Sequence, residues 1–294
     1  MAAAAEEITL PVVDLASPEA GKGLMAAFRD LGVASVVNHE VDDPAGLLRA
    51  VRNLFLDISS SSQGYIPPFA ESGSSLVEAK EGFAFGDIMD LPPDLTERPA
   101  LERAYADFYR TSRAIVDALE TDVPALRGCC DTNATALARL FHYLPSNRDL
   151  GSSPHTDWGL LTLVLSDDAA DRDAALEVWH DSKWRRVRVP DPTALVVNAG
   201  DYLALVSPLR SPRHRVVVRR RHRYSLVFFY YPDYNATVPE PRPDLDLSLF
   251  DCQVVADDDL GRTCAADYQG ADLTFGDYVA RKWREVARPA LLAR

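Results

Sequence analysis

The sequence has 294 residues, 47% of them hydrophobic, which is enough for one or two domains with a sizeable core. Its 44 Asp and Glu side chains outnumber its 31 Lys and Arg, for a formal net charge of −13. This charge argues against nucleic acid or an anionic membrane as the main partner. We expect a small-molecule substrate, no nucleic-acid or membrane partner, and a monomer or weak homo-oligomer.

Cysteine usage indicates a reducing compartment. The four cysteines are Cys129, Cys130, Cys252 and Cys264, and none forms a Cys-x-x-Cys pair. The first residues lack the basic start and long apolar core of a signal peptide, and no apolar run approaches transmembrane length. The expected location is the cytoplasm.

The N-terminal half alternates predicted strands and helices. A serine followed by proline and an acid predicts a helix start at Ser17, and Gly32 predicts its end. The predicted elements are a strand at 8–15, a helix from Ser17 to Gly32, a strand at 33–39, a helix from Asp43-Pro44 and a long helix from about Pro99 to Leu119. We expect residues 1–134 to form a mixed region that packs on a β core.

Short strands separated by turns follow from about Thr135, as is typical of an all-β sandwich or barrel. One hairpin is expected around Asp181-Ser182. The predicted fold class is α+β with a mainly β core: a double-stranded β-helix, or jelly roll, over 135–235, buttressed by the N-terminal helices. Residues 236–294 are expected to form a wrapping segment at 239–250 and a C-terminal helix that carries Val279, Trp283 and Val286.

A candidate metal site lies in the β core. His155 and Asp157 are two residues apart before an apolar run of strand length, and residues i and i+2 of a strand share a face. His214 is the best candidate for a third ligand, because the chain between it and Asp157 is long enough to return through several strands. Two histidines and one carboxylate with open positions are typical of non-haem Fe(II) oxygenases. Zinc could also bind this set, and Asp201 is an alternative carboxylate.

A candidate anion socket follows on the next predicted strand, which begins at Arg223. Arg223 and Ser225 share one face of this apolar strand. An inward arginine is costly unless an anion pairs with it, and a guanidinium group fits a carboxylate through two parallel hydrogen bonds. The pattern therefore predicts a socket for a small dicarboxylate.

Four motifs in order carry a family resemblance: His155-Thr156-Asp157, Val197-Asn198-Ala199-Gly200-Asp201, Ser211-Pro212-Arg213-His214-Arg215-Val216 and Arg223-Tyr224-Ser225. With them the chain resembles the plant-type 2-oxoglutarate and Fe(II)-dependent dioxygenases, which share the isopenicillin N synthase fold. The resemblance implies that His155, Asp157 and His214 bind iron. It implies that Arg223 and Ser225, assisted by Tyr143, hold the distal carboxylate of 2-oxoglutarate.

The resemblance also implies an activity. Fe(II), 2-oxoglutarate and O2 would oxidise a small metabolite by hydroxylation, desaturation or ring closure, with release of succinate and CO2 and with ascorbate as a supporting reductant. A hydrophobic or aromatic carboxylic acid, such as a hormone or specialised metabolite, is the substrate class expected. Two alternatives stay open: an Fe(II) oxidase that does not use 2-oxoglutarate, and a non-catalytic binding protein with the same metal site.

The resemblance also suggests residues for the substrate pocket. Phe85, Trp158 and Tyr231 are the candidate wall residues. The segment 81–87 is expected near the pocket by resemblance, although ordinary packing explains Phe83 and Phe85 equally well.

Overall fold

A computed structural model describes residues 6–58, 62–70, 78–87, 89–130, 134–145, 150–167, 174–218, 220–239 and 273–286. The strands are β1 (Glu6–Thr9), β2 (Val12–Asp14), β3 (Val33–Val37), β4 (Tyr65–Ile66), β5 (Lys80–Gly86), β6 (Ala134–Tyr143), β7 (Leu150–His155), β8 (Leu161–Ser166), β9 (Ala174–His180), β10 (Lys183–Arg188), β11 (Leu195–Ala199), β12 (His214–Val218) and β13 (Arg223–Asp233). The helices are α1 (Ala20–Asp30), α2 (Pro44–Asp57), α3 (Arg98–Leu119), α4 (Asp201–Val206) and α5 (Phe275–Val286), with a 3₁₀ turn at Pro124–Leu126.

Two facing sheets form the predicted double-stranded β-helix. The minor sheet has the order β1-β10-β9-β12-β7, and the major sheet has the order β2-β3-β11-β8-β13-β6-β5-β4. Apolar side chains from both sheets, such as Phe141, Val178 and Val216, meet in the interior between them. Helices α1, α2 and α3 pack on the outer face of the major sheet, which confirms the predicted buttress.

The second predicted helix begins as expected, because Asp43 caps α2 by accepting a hydrogen bond from the backbone N–H of Gly46 at 2.8 Å. The predicted start of α1 was wrong. Ser17 forms a turn with Glu19 and Ala20, and the helix begins at Ala20. Side-chain hydrogen bonds of Ser within turns compete with helix capping.

Two further expectations need correction. The single strand predicted at 8–15 is two strands, β1 in the minor sheet and β2 in the major sheet, because Pro11 lies between them and has no N–H for a sheet ladder. The stretch after Gly200 forms α4, a short helix that the sequence analysis did not predict. Pro239 apart, the predicted wrapping segment at 239–250 lies outside the described residues, as do the side chains of Trp283 and Val286.

No helix within the described ranges is long and apolar enough to span a membrane. The longest, α3, has 22 residues and is amphipathic: its buried face includes Leu101, Phe108 and Ile115, and its other face is charged.

Candidate functional site

The three predicted metal ligands converge at one end of the minor sheet. His155 on β7 lies directly opposite His214 on the antiparallel neighbour β12, and their ring centroids are 4.3 Å apart. Asp157 approaches the Nε2 atom of His155 to 3.6 Å and that of His214 to 3.7 Å. Of the His, Cys, Asp and Glu side chains that the structure describes, only these three form a group whose ligand atoms all lie within 4.8 Å of one another.

Asp157 reaches this position by a route that differs from the prediction. Strand β7 ends at His155, so Asp157 does not share a strand face with it. The backbone N–H of Asp201, at the start of α4, donates to the carbonyl of Asp157 at 2.7 Å and holds the loop. The side chain of Asp201 accepts a hydrogen bond from the Thr156 hydroxyl at 3.1 Å, which makes Asp201 a support of the loop.

The hydrogen bonds of the two imidazoles leave their Nε2 atoms facing the centre of the triad. The Nδ1–H of His155 donates to the Ser153 carbonyl at 2.7 Å, and that of His214 donates to the Pro212 carbonyl at 3.0 Å. Burial, followed by the neighbouring His214, lowers the pKa of His155 to about 4. The imidazole of His155 is therefore neutral at pH 7 and able to ligate a metal.

The carboxylate of Asp157 also indicates a cation. Its Oδ2 atom is buried and has no hydrogen-bond partner within the described part of the chain. A buried carboxylate oxygen without a partner is costly, and a divalent cation between it and the two Nε2 atoms would remove that cost. Two imidazoles and one carboxylate on one face suit Fe(II).

The major sheet supplies the opposite wall of the cavity. Arg223 begins β13 opposite Tyr143 of β6, and its guanidinium group lies 4.8 Å from the centroid of the Tyr143 ring. Only 1% of Arg223 is exposed to solvent. Ser225 follows on the same face, and its buried Oγ atom has no hydrogen-bond partner among the residues described.

Gly151 allows the ring of Tyr143 to take this position. A Cβ atom at residue 151 would lie 2.6 Å from Cδ1 of Tyr143 and 2.9 Å from Cγ2 of Val218. Any side chain on β7 at this point would therefore displace the ring that supports Arg223.

Two of the three predicted wall residues line the cavity, namely Trp158 and Tyr231. Burial and then Asp157 raise the pKa of the Tyr231 phenol, so it stays protonated and available as a donor. The prediction for Phe85 was wrong. Phe85 packs 6.0 Å from Tyr105 of α3, in the core outside the cavity.

Strand alternation explains the position of Phe85. In the ladder of β5 with β6, the cavity-facing residues Phe141 and Tyr143 pair with Gly82 and Lys80. Residues that pair directly share a face of the sheet, so the even-numbered residues of β5 face the cavity. The odd-numbered residues, including Phe83 and Phe85, face the helices and belong to the core.

The cavity-lining residues that were not predicted include Arg139, Asn198, Glu78 and Lys80. Arg139 projects from β6 and stacks on the ring of Phe141 at 4.7 Å. The side-chain amide of Asn198 on β11 is buried, and neither its nitrogen nor its oxygen has a partner among the described residues. Glu78 and Lys80 form an ion pair of 2.7 Å in the same wall. A polar residue inside an apolar strand was the available signal for Arg139 and Asn198.

Comparisons with known proteins agree with this geometry. The family model for the 2OG-Fe(II) oxygenase superfamily matches residues 134–232, the segment that holds the triad and Arg223. Gibberellin 20 oxidase 2 of Oryza sativa subsp. indica is 30% identical over 285 residues, covering 81% of this chain and 72% of that protein. This chain belongs to the 2OG-Fe(II) oxygenase superfamily. It is an oxygenase that uses Fe(II) and 2-oxoglutarate.

Solved structures show the same fold as this oxygenase. The crystal structure of JOX2 in complex with 2OG, Fe and JA has a TM-score of 0.69 at 23% identity, and the match covers 85% of this oxygenase and 83% of that chain. The dioxygenase for auxin oxidation of rice has a TM-score of 0.66 at 21% identity, and the match covers 95% of this oxygenase and 99% of that chain.

Proposed function

We propose that His155, Asp157 and His214 hold the Fe(II) of this oxygenase, and that Arg223, Ser225 and Tyr143 hold the distal carboxylate of 2-oxoglutarate. One observation carries the proposal: a converging His-Asp-His triad and a buried, inward-facing arginine line the same cavity. Bound Fe(II), with O2 and 2-oxoglutarate, supplies oxidative decarboxylation coupled to oxidation of a substrate C–H bond.

The protein groups position the reactants and exclude water. Arg223 offers two parallel donors to a carboxylate, and the ring of Tyr143 limits the movement of the guanidinium group. The hydroxyl of Ser225, which has no partner among the described residues, is available as a third donor. All three metal ligands lie on one side of the cavity, which leaves the side toward Arg223 open for the cosubstrate.

The charges of the cavity support an anionic substrate. Among the described lining residues, three cations (Lys80, Arg139 and Arg223) face two carboxylates (Glu78 and Asp157), which leaves one net positive charge. The charges of Fe(II) and the 2-oxoglutarate dianion cancel each other. A substrate with one carboxylate would neutralise the remaining charge in a site of low dielectric constant.

Arg139 is the group that we expect to bind the substrate carboxylate. On β6 it lies four residues from Tyr143, the partner of Arg223, which corresponds to about 13 Å of strand. The two arginines therefore project from well-separated points of the cavity wall, and we propose that each binds a different anion. Gibberellin 20 oxidase 2, and JOX2 with its bound JA, suggest hormone-like or specialised metabolites as the acids to test.

The small number of cysteines supports a reducing compartment such as the cytoplasm. We expect a monomer or weak homo-oligomer in plant-type specialised metabolism, with ascorbate supporting turnover.

A screen for succinate release tests the proposal. The purified protein is incubated with Fe(II), ascorbate, 2-oxoglutarate and a panel of hydrophobic and aromatic carboxylic acids. We expect at least one acid to stimulate succinate release in proportion to its own consumption, and its methyl ester to be a much poorer substrate. Substrate loss without succinate would instead support the 2-oxoglutarate-independent oxidase, and an ester as good as its acid would refute an anionic substrate.

A further inference from the structure

A chain of contacts connects an ion pair in the cavity wall to a proposed metal ligand. The Nζ atom of Lys80 lies 2.7 Å from Oε2 of Glu78. The other oxygen, Oε1 of Glu78, accepts a hydrogen bond of 2.7 Å from the backbone N–H of Ser153. The carbonyl of Ser153 accepts the Nδ1–H of His155, also at 2.7 Å. Glu78 therefore contacts the residue that orients this imidazole.

The two proposed histidine ligands differ in how their supporting residue is held. His214 donates to the carbonyl of Pro212, whose ring fixes its own φ angle and which has no backbone N–H. Ser153 lies in β7, where the following Pro154 restricts its backbone, and its N–H is held by the side chain of Glu78. The His155 side chain is also more exposed, at 31% against 8% for His214, so less packing fixes its orientation.

The ion pair itself is buried. The side chains of Glu78 and Lys80 are 3% and 11% exposed. Burial alone would raise the pKa of Glu78, but the Lys80 ammonium and the hydrogen bond from Ser153 outweigh it and hold that pKa below its usual value. Glu78 is thus a carboxylate at neutral pH. A buried ion pair of this kind often contributes little net stability.

We infer that Glu78, neutralised by Lys80, is a positioning residue for the metal ligand His155. By fixing the N–H of Ser153, it holds the carbonyl that orients the Nδ1–H of His155 and directs Nε2 toward the metal. Partners beyond the ligands of a metal commonly change metal affinity by about 10- to 100-fold when they are removed. This inference rests on the proposed iron ligation by His155, Asp157 and His214.

Two substitutions at one position separate the hydrogen bond from the charge. Glu78→Gln and Glu78→Leu both remove the carboxylate charge and with it the ion pair to Lys80. Only the glutamine retains an oxygen that can accept the N–H of Ser153. The difference between these two variants therefore isolates the contact with Ser153 from the loss of the ion pair.

The test is anaerobic titration with Co(II), followed by its visible absorption bands, together with melting temperatures. We expect Glu78→Leu to raise the dissociation constant about 10- to 100-fold and to change the bands, and Glu78→Gln to stay within about threefold of the wild type. Equal dissociation constants for the two variants, or a wild-type value for Glu78→Leu, would overturn the inference. If loss of the ion pair prevents folding, the same comparison is made in a Lys80→Met background.

Two controls keep this inference separate from the proposed function. Glu177→Ala breaks a comparably buried ion pair of 2.8 Å with Arg215 in the minor sheet. We expect it to lower the melting temperature without changing Co(II) affinity. His214→Ala should abolish Co(II) binding at this site. If His214→Ala binds normally, the proposed metal site fails; if His214→Ala loses binding and the two Glu78 variants bind equally well, only the positioning role fails.

Discussion

Replacing Arg223 with lysine should weaken the binding of 2-oxoglutarate while the metal stays bound. The side chain is 1% exposed and lies on the ring of Tyr143, so a lysine can keep the charge in the same place. It cannot keep both parallel hydrogen bonds of the guanidinium group. A hydrogen bond to a charged group contributes about 1.5–3 kcal/mol, and about 1.4 kcal/mol corresponds to a tenfold change in affinity. Arg223→Lys should therefore raise the KM for 2-oxoglutarate about 10- to 150-fold.

The assay for Arg223→Lys is succinate release against 2-oxoglutarate concentration at saturating Fe(II), with Co(II) affinity measured in parallel. Arg185→Lys is the matched control, because Arg185 is partly buried on β10 and binds Glu6 away from the cavity. We expect normal kinetics for Arg185→Lys and normal Co(II) affinity for both variants. An unchanged KM in Arg223→Lys would refute the assignment of the socket.

Three further predictions concern the substrate, the ring of Tyr143 and the outer face of the major sheet. Arg139→Gln should raise the KM for a carboxylate substrate by about tenfold or more and leave the KM for 2-oxoglutarate unchanged, as measured by initial rates. If only the KM for 2-oxoglutarate rose, Arg139 would bind the cosubstrate and not the substrate. Gly151→Ala should raise the KM for 2-oxoglutarate, because the added methyl group would lie 2.6 Å from Tyr143; unchanged kinetics would show that the ring position is unimportant. Burial lowers the pKa of His142 below its usual 6.5, although Glu81 opposes this shift. The unfolded chain therefore binds a proton at this residue more readily than the folded protein does. The contribution of neutral His142 to folding stability is complete above pH 6.5 and decreases as the pH drops below that value. The melting temperature of His142→Asn should fall less steeply than that of the wild type between about pH 7 and pH 5, and parallel slopes would contradict this reasoning.

The β core and its motifs could be predicted because both depend on local patterns. Alternation along β13 placed Arg223 and Ser225 on one face, and the structure has both in the cavity wall. The predicted hairpin around Asp181-Ser182 joins β9 and β10. Fold class and family followed from patterns of this kind.

The predictions failed where contacts or turns that no local pattern reveals determine the structure. The resemblance placed Phe85 in the pocket wall, but the register of β5 against β6 turns this side chain toward α3. The start of α1 depends on a turn at Ser17 that competes with helix capping. Glu78 and Lys80 gave no local signal, since their importance comes from a contact with Ser153, 75 residues away from Glu78.

A crystal structure of the protein grown anaerobically with Mn(II) and 2-oxoglutarate tests the central assignment most directly. The anomalous signal of the metal should lie within direct coordination distance of Nε2 of His155, Nε2 of His214 and one carboxylate oxygen of Asp157. The distal carboxylate of 2-oxoglutarate should contact Arg223 and Ser225. A metal bound elsewhere, or a cosubstrate whose distal carboxylate avoids Arg223, would contradict the assignment.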